Sequence, residues 1–105
     1  MNKKIAVASS DGKFINQHFG HATKFLIFSA KDGAYDFLEL IETQPYCNWG
    51  EHEDEDLKEA VEKLLGCDMV IASQIGPGAW EVLIQHGIEP VQKHGFIEDV
   101  LSQLF

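Results

Sequence analysis

The chain has 105 residues, 45% of them apolar and 24% charged, which suits one globular domain over residues 1–105 with a core that buries roughly two-thirds of the surface its unfolded chain exposes. Its formal net charge of −9, from 17 acidic and 8 basic residues, opposes a phosphate backbone and excludes general nucleic-acid binding. No apolar run approaches the ~20 residues of a membrane span, and the first apolar stretch is too short for a secretory signal, so no membrane partner is expected and the cytoplasm is the expected location.

Residues 5–8, Ile-Ala-Val-Ala, are continuously apolar and end at a turn signal, as in a strand buried on both faces. Residues 9–21, SSDGKFINQHFGH, then form a loop holding Asp11-Gly12, His18 and His21. Loops this long between short strands are uncommon unless they bind something. Residues 25–28, Phe-Leu-Ile-Phe, predict a second buried strand, and Asp32-Gly33 a tight hairpin into a third at 35–41. Residues 43–50, TQPYCNWG, carry the breakers of a loop. The acidic run at 51–59, EHEDEDLKE, reads as the solvated first turn of a helix, where negative charge complements the helix dipole. Leu57, Ala60, Val61, Leu64 and Leu65 form one face of that helix, and Gly66 ends it.

Residues 69–72 predict a fourth strand. Gly76-Pro77-Gly78 opens a second helix with proline at its first position; Trp80, Leu83 and Ile84 are its expected buried stripe, and Gly87 stops it. Residues 88–91 predict a fifth strand, at a sheet edge because Pro90 cannot complete a ladder. Phe96, Ile97, Val100, Leu101 and Leu104 predict a last amphipathic helix.

The order is β-β-β-α-β-α-β-α, and the β-α-β units demand parallel strands with right-handed crossovers, hence one α/β sheet covered by helices. If strands 2 and 3 meander, one edge of the sheet collects the 9–21 loop, the 43–52 loop, residues 74–78 and residues 92–95. Open α/β sheets bind ligands at the carboxyl ends of their parallel strands. That edge holds His18, His21, Cys47, His52 and His94. A plainer role competes with each. His18 can orient its loop by hydrogen bonds. Cys47 can be a small hydrophobe beside Tyr46 and Trp49. His52 and His94 can be exposed or structural. Cys67 and His86 fall at the opposite edge and are expected to be structural, and Asp11-Gly12 to be a turn rather than a catalytic acid. Gly76-Pro77-Gly78 is not a P-loop; it is a small-residue turn at a helix N-terminus, a place able to receive an anion.

The run IAVASSDG with QHFGHATKFLIF, followed by CDMVIASQIGPGAWEVLIQHGIEPV, resembles the dinitrogenase iron–molybdenum cofactor biosynthesis family. This small domain occurs in NifX-type carriers and at the C-terminus of NifB-type proteins. S-x-D-G, H-F-G-H and I-G-P-G-A at these separations carry the likeness over nearly the whole chain. It implies a three-layer ribonuclease-H-like fold, with a five-stranded mixed sheet containing one antiparallel strand. It also implies a non-catalytic carrier for an anionic iron–sulfur or molybdenum-containing cluster or its precursor, with a cluster donor or acceptor protein as partner. By this likeness His18 and His21 fall on the family's histidine-bearing loop, Gly76, Pro77 and Gly78 on its glycine turn, and Ser9, Asp11 and Gly12 on S-x-D-G. The candidate cofactor contacts are therefore Ser9, Asp11, Gly12, Gly76, Pro77 and Gly78. The candidate metal ligands are His18, His21, Cys47 and His52, the last two resting on the edge assignment and not on the likeness. Two alternatives stand beside the carrier. A metal-dependent nuclease or phosphoryl-transfer enzyme is suggested by fold alone, but the first strand has no carboxylate for such chemistry. The other is a sensory or interaction module with a vacant pocket.

Overall fold

The computed structural model describes residues 3–31, 33–43, 47–48, 51–52 and 54–104, with side chains for all of these but residues 47, 48, 51, 52 and 54–57. In chain order the elements are β1 (Lys3–Ala8), β2 (Phe14–Ile15), a 3-10 turn (Phe19–His21), β3 (Lys24–Lys31) and β4 (Ala34–Glu42). There follow β5 (Cys47–Asn48), β6 (Glu51–His52), α1 (Asp54–Lys63), β7 (Met69–Ala72), α2 (Pro77–Gln85), β8 (Glu89–Gln92), β9 (Gly95–Phe96) and α3 (Ile97–Leu104).

Five of these strands form the central sheet in the order β4-β3-β1-β7-β8. β1 is parallel to β7 and β7 to β8, whereas β3 is antiparallel to both β1 and β4. The sheet is therefore mixed, with β3 its one reversed strand, as the connection rules require. The Asp-Gly signal makes the expected hairpin: Lys31 pairs with Ala34, and Gly33 takes a left-handed φ of 84°. Asp32 itself lies outside the described residues. Pro90 sits in β8, an edge strand, where a missing N–H costs no ladder bond.

Alternation along β1 divides the core in two. Ala6 and Ala8 face α1 and α2, with Phe25, Ile27, Val70 and Ala72 beside them and Val61, Leu64, Ala79 and Leu83 packed above. Ile5 and Val7 face α3, meeting Met69, Ile71, Ile97, Val100 and Leu101. Each of the larger of these side chains contributes about 1.5–3 kcal/mol by leaving water. Among the described residues no helix is long and apolar enough to cross a membrane.

Several expectations need correction. In α2 the buried face is Ala79 and Leu83; Trp80 is 37% and Ile84 56% exposed, because that apolar pair points away from the sheet. Leu65 lies beyond the last residue of α1 and is exposed, while Ala60, Val61 and Leu64 are buried as expected; the side chain of Leu57 lies outside the described residues. Phe96 belongs to β9 instead of the last helix and stacks on Phe14 with ring centroids 4.3 Å apart. The acidic run begins with β6 before α1 starts at Asp54, and residues 47–52 contain a short β5–β6 pair where only a loop was expected.

Candidate functional site

The carboxyl ends of β1, β4, β7 and β8 share one edge of the sheet, so the loops that follow them converge there. The loop after β1 has two halves with different chemistry. Its first half satisfies itself. Ser9 is fully buried; its hydroxyl accepts the Gly12 N–H at 2.9 Å and donates to Asp11 Oδ1 at 3.2 Å. Asp11 Oδ1 also accepts the N–H groups of Lys13 at 2.8 Å and Phe14 at 3.0 Å. Those bonds favour the charged form, and the N–H groups of Phe14 and then Lys13 hold the Asp11 carboxyl below its ordinary value of 3.8. A lowered folded pKa means that this bonding supports the fold above the unfolded value and is lost as pH falls through the folded one. Gly12, at φ 78°, supplies the left-handed residue the turn needs. Ser9, Asp11 and Gly12 thus build a turn, and Asp11 is committed to it.

The second half is fastened to the connection between β7 and α2. Gln17 O accepts the Ser73 N–H at 3.0 Å, His18 bridges to Gln74 in parallel register, and the Phe19 N–H donates to Gln74 O at 2.8 Å. Phe19 is 2% exposed and packs against Phe25, with ring centroids 5.7 Å apart. With Phe19 sunk into the core, His18 and His21 stand exposed on either side of it. A 3-10 turn eclipses side chains three residues apart. Here the rings of His18 and His21 lie edge-on with centroids 6.0 Å apart. A metal–nitrogen bond near 2.1 Å puts each imidazole centroid about 3.2 Å from the ion, so at a tetrahedral angle two rings on one ion lie about 5.2 Å apart. The observed separation is within about 1 Å of that.

Next to this turn is the start of α2. Gly76 is its N-cap, with φ −65° and ψ 157°, and Pro77 its first residue. Neither Gly76 nor Gly78 has a positive φ, and a Cβ at either would meet nothing within 4 Å. Among the described residues, neither backbone conformation nor packing therefore demands glycine at these positions, and residues 76–78 are exposed at the helix start, where first-turn N–H groups lack intrahelical partners. Ser73, directly after β7, has a buried hydroxyl oxygen without a hydrogen-bond partner among the described residues. Sequence reasoning did not single it out; its position directly after a buried strand and before the glycine turn was the available signal. Gln92 at the end of β8 ties the same connection down, its Oε1 accepting the Ile75 N–H at 2.8 Å.

Cys47 and His52 are opposed in the β5–β6 pair, and β5 approaches the 3-10 turn to within 8 Å between Cα atoms. Their side chains lie outside the described residues. His94 instead lines a surface cavity with Gln92, Asp99 and Gln103. Among the described residues no group of three or more His, Cys, Asp and Glu could hold a metal ion, so the donors seen together are the two imidazoles.

At the opposite edge, His86 Nδ1 donates to Val82 O at 2.9 Å, capping the end of α2. Cys67 is a free, buried thiol, and burial pushes its pKa up. Cys67 is therefore expected to resist a thiol reagent in the folded protein and to react on unfolding. Thiol labelling with and without urea checks this; equal Cys67 rates in both states would contradict its assignment to the core.

The sequence pattern of the family described as dinitrogenase iron–molybdenum cofactor matches residues 1–105. The FeMo cofactor biosynthesis protein NifB of Frankia alni is 36% identical over 103 residues, covering 95% of this chain and 20% of that protein. NifB of Azotobacter vinelandii is 36% identical over 107 residues, covering 96% and 21%. The chain thus spans about a fifth of the length of these relatives. The crystal structure of PH0822 superposes with a TM-score of 0.73 at 22% identity, over 96% of this chain and 87% of that one, a likeness of fold alone.

Proposed function

The chain belongs to the dinitrogenase iron–molybdenum cofactor family, and from that premise we propose that it is a non-catalytic binding or carrier protein for an anionic metal–sulfur cluster, the iron–molybdenum cofactor or a related precursor. The observation that carries this reading is the pair of exposed imidazoles, 6.0 Å apart on a turn anchored beside the open N-terminus of α2. Imidazole suits iron, and thiolate suits soft metals and iron–sulfur clusters. The partial positive charge of a helix N-terminus suits a negatively charged cargo. Two imidazoles, with Cys47 and His52 as further donors, make a sparse set, and a cluster held by few bonds can be handed on. Ser9, Asp11 and Gly12 serve this reading by shaping the loop, and Gly76, Pro77 and Gly78 by leaving the helix start accessible.

We read the architecture as ribonuclease-H-like, supported by the strand order and the single reversed strand. Two-metal phosphoryl chemistry needs converging carboxylates, and β1 carries none, so the fold by itself does not support a nuclease. The same reading has a cluster donor or acceptor protein as partner. It also takes the cytoplasm as the location, where the thiol of Cys67 stays reduced.

Protein isolated anaerobically from its native host is expected to carry iron and sulfide in comparable amounts. Metal-free protein that also fails to load a cluster in vitro would contradict the carrier role. A single substitution separates site from fold. Gly78→Ala lies in the first turn of α2 with open space around it, so it is expected to raise stability by up to about 1 kcal/mol while weakening cluster loading. Loading equal to the parent's would remove the glycine turn from the site.

A further inference from the structure

β4 is an edge of the sheet: β3 pairs along one side of it, and no described strand pairs along the other. It is nine residues long, whereas natural proteins keep exposed edges short, cover them, or guard them with lysine and proline. In an antiparallel ladder roughly half of a strand's N–H and C=O groups turn toward each neighbour, so the outer half of β4's groups point away from the sheet.

The side chains of β4 sort by face. Phe37 lies opposite Phe28 and Leu40 opposite Leu26, on the sheet face whose core with α3 takes in Phe28 and Ala30 of β3 but no fully buried residue of β4. Phe37 is 55% and Leu40 47% exposed, and Leu38, at the bulge between them, is 51% exposed. Phe37, Leu40 and Leu26 line a groove of about 220 Å³ that reaches Gly12. Gly12 also borders a cavity of about 410 Å³ lined by Phe28, Tyr35 and Phe96. The other face of β4 presents Asp36 opposite Ser29 and Glu39 opposite Ile27, neither opposed by a cation. Glu42, by contrast, lies opposite Lys24. β4 contains no basic residue.

We propose that β4 is a docking edge for an extended segment of a partner protein whose side chains alternate apolar and basic, joining the sheet as a sixth strand. Main-chain bonds to the open edge supply affinity and alternate side chains supply selectivity, as in strand addition generally. The apolar set of the incoming strand lies along Phe37 and Leu40, and the basic set meets Asp36 and Glu39. A second copy of this chain is a poor occupant. Antiparallel pairing of two β4 strands gathers the Asp36 and Glu39 carboxylates of both copies on one face, between molecules that each carry −9.

The test uses the full chain, isotope-labelled for NMR, and two soluble probe peptides, one alternating valine with lysine and one alternating valine with glutamate. The lysine peptide is expected to shift the amide resonances of residues 34–42, with affinity falling as salt is raised, and the glutamate peptide to leave them unmoved. Asp36→Lys with Glu39→Lys is expected to weaken the lysine peptide about tenfold or more and to admit the glutamate peptide. Phe37→Ser, on the other face, is expected to weaken binding without changing its salt dependence. Absence of shifts in residues 34–42 with the lysine peptide, equal response to both peptides, or indifference to the charge reversal would each overturn the proposal. So would a sedimenting dimer that Phe37→Ser dissolves, which would assign the edge to a second copy.

Discussion

Phe19→Ala is expected to lower the stability of the fold by about 3–5 kcal/mol, the usual result of emptying a buried phenylalanine site. Phe19 is 2% exposed, touches Phe25 and belongs to the core between the sheet and α1 and α2. It also sits between His18 and His21, and its N–H holds the turn to Gln74. One substitution therefore acts on packing and on the candidate site together: the cavity weakens the core, and the freed turn no longer fixes the spacing of the two imidazoles. His18→Ala and His21→Ala, which remove exposed side chains from the same turn, are expected to change stability by no more than about 0.5 kcal/mol. Urea unfolding of the three variants beside the parent checks the contrast. A loss below about 1 kcal/mol for Phe19→Ala would mean that the turn is not anchored through the core.

The parts of this fold that were legible in the sequence are those set by period and connection. Ile5 to Ala8 are apolar without a break because β1 is covered on both faces, and Met69 to Ala72 for the same reason. Gly33 takes the left-handed φ that a tight hairpin needs and Pro77 has the fixed φ of a helix start, and each occupies the matching place. From these signals the strand directions that bring the loops after β1, β4, β7 and β8, with His18, His21, Cys47, His52 and His94 in sequence along them, to one edge of the sheet followed without coordinates. Helical stripes were less legible. Trp80 and Ile84 are as apolar as Leu83, but which stripe is buried depends on where the helix lies against the sheet, and α2 presents Ala79 and Leu83 to it. The pairing of Phe14–Ile15 with Gly95–Phe96 is two residues long, too short for any period, and joins segments far apart in sequence. Nor did the sequence indicate how His18 and His21 meet, because their ring separation comes from a 3-10 turn that Phe19 and the Gln74 bridge hold in shape. The orphan hydroxyl of Ser73 is likewise a property of tertiary burial.

The reading of the 3-10 turn as a cluster-binding element is tested most directly by reconstituting a metal–sulfur cluster on apo-protein, for the parent and for His18→Ala, His21→Ala, Cys47→Ala and His86→Ala, with absorbance and metal content as readouts. Losing one donor from so sparse a set is expected to reduce loading about tenfold or more in each of the first three, with folding unchanged. Loading of the parent is expected to weaken on acidification, since imidazole and thiolate bind metal only when deprotonated. His86→Ala, at the far edge with its ring bonded to Val82 O, is expected to load like the parent. Parent-like loading of the His18 and His21 variants, or failure of His86→Ala alone, would contradict the site.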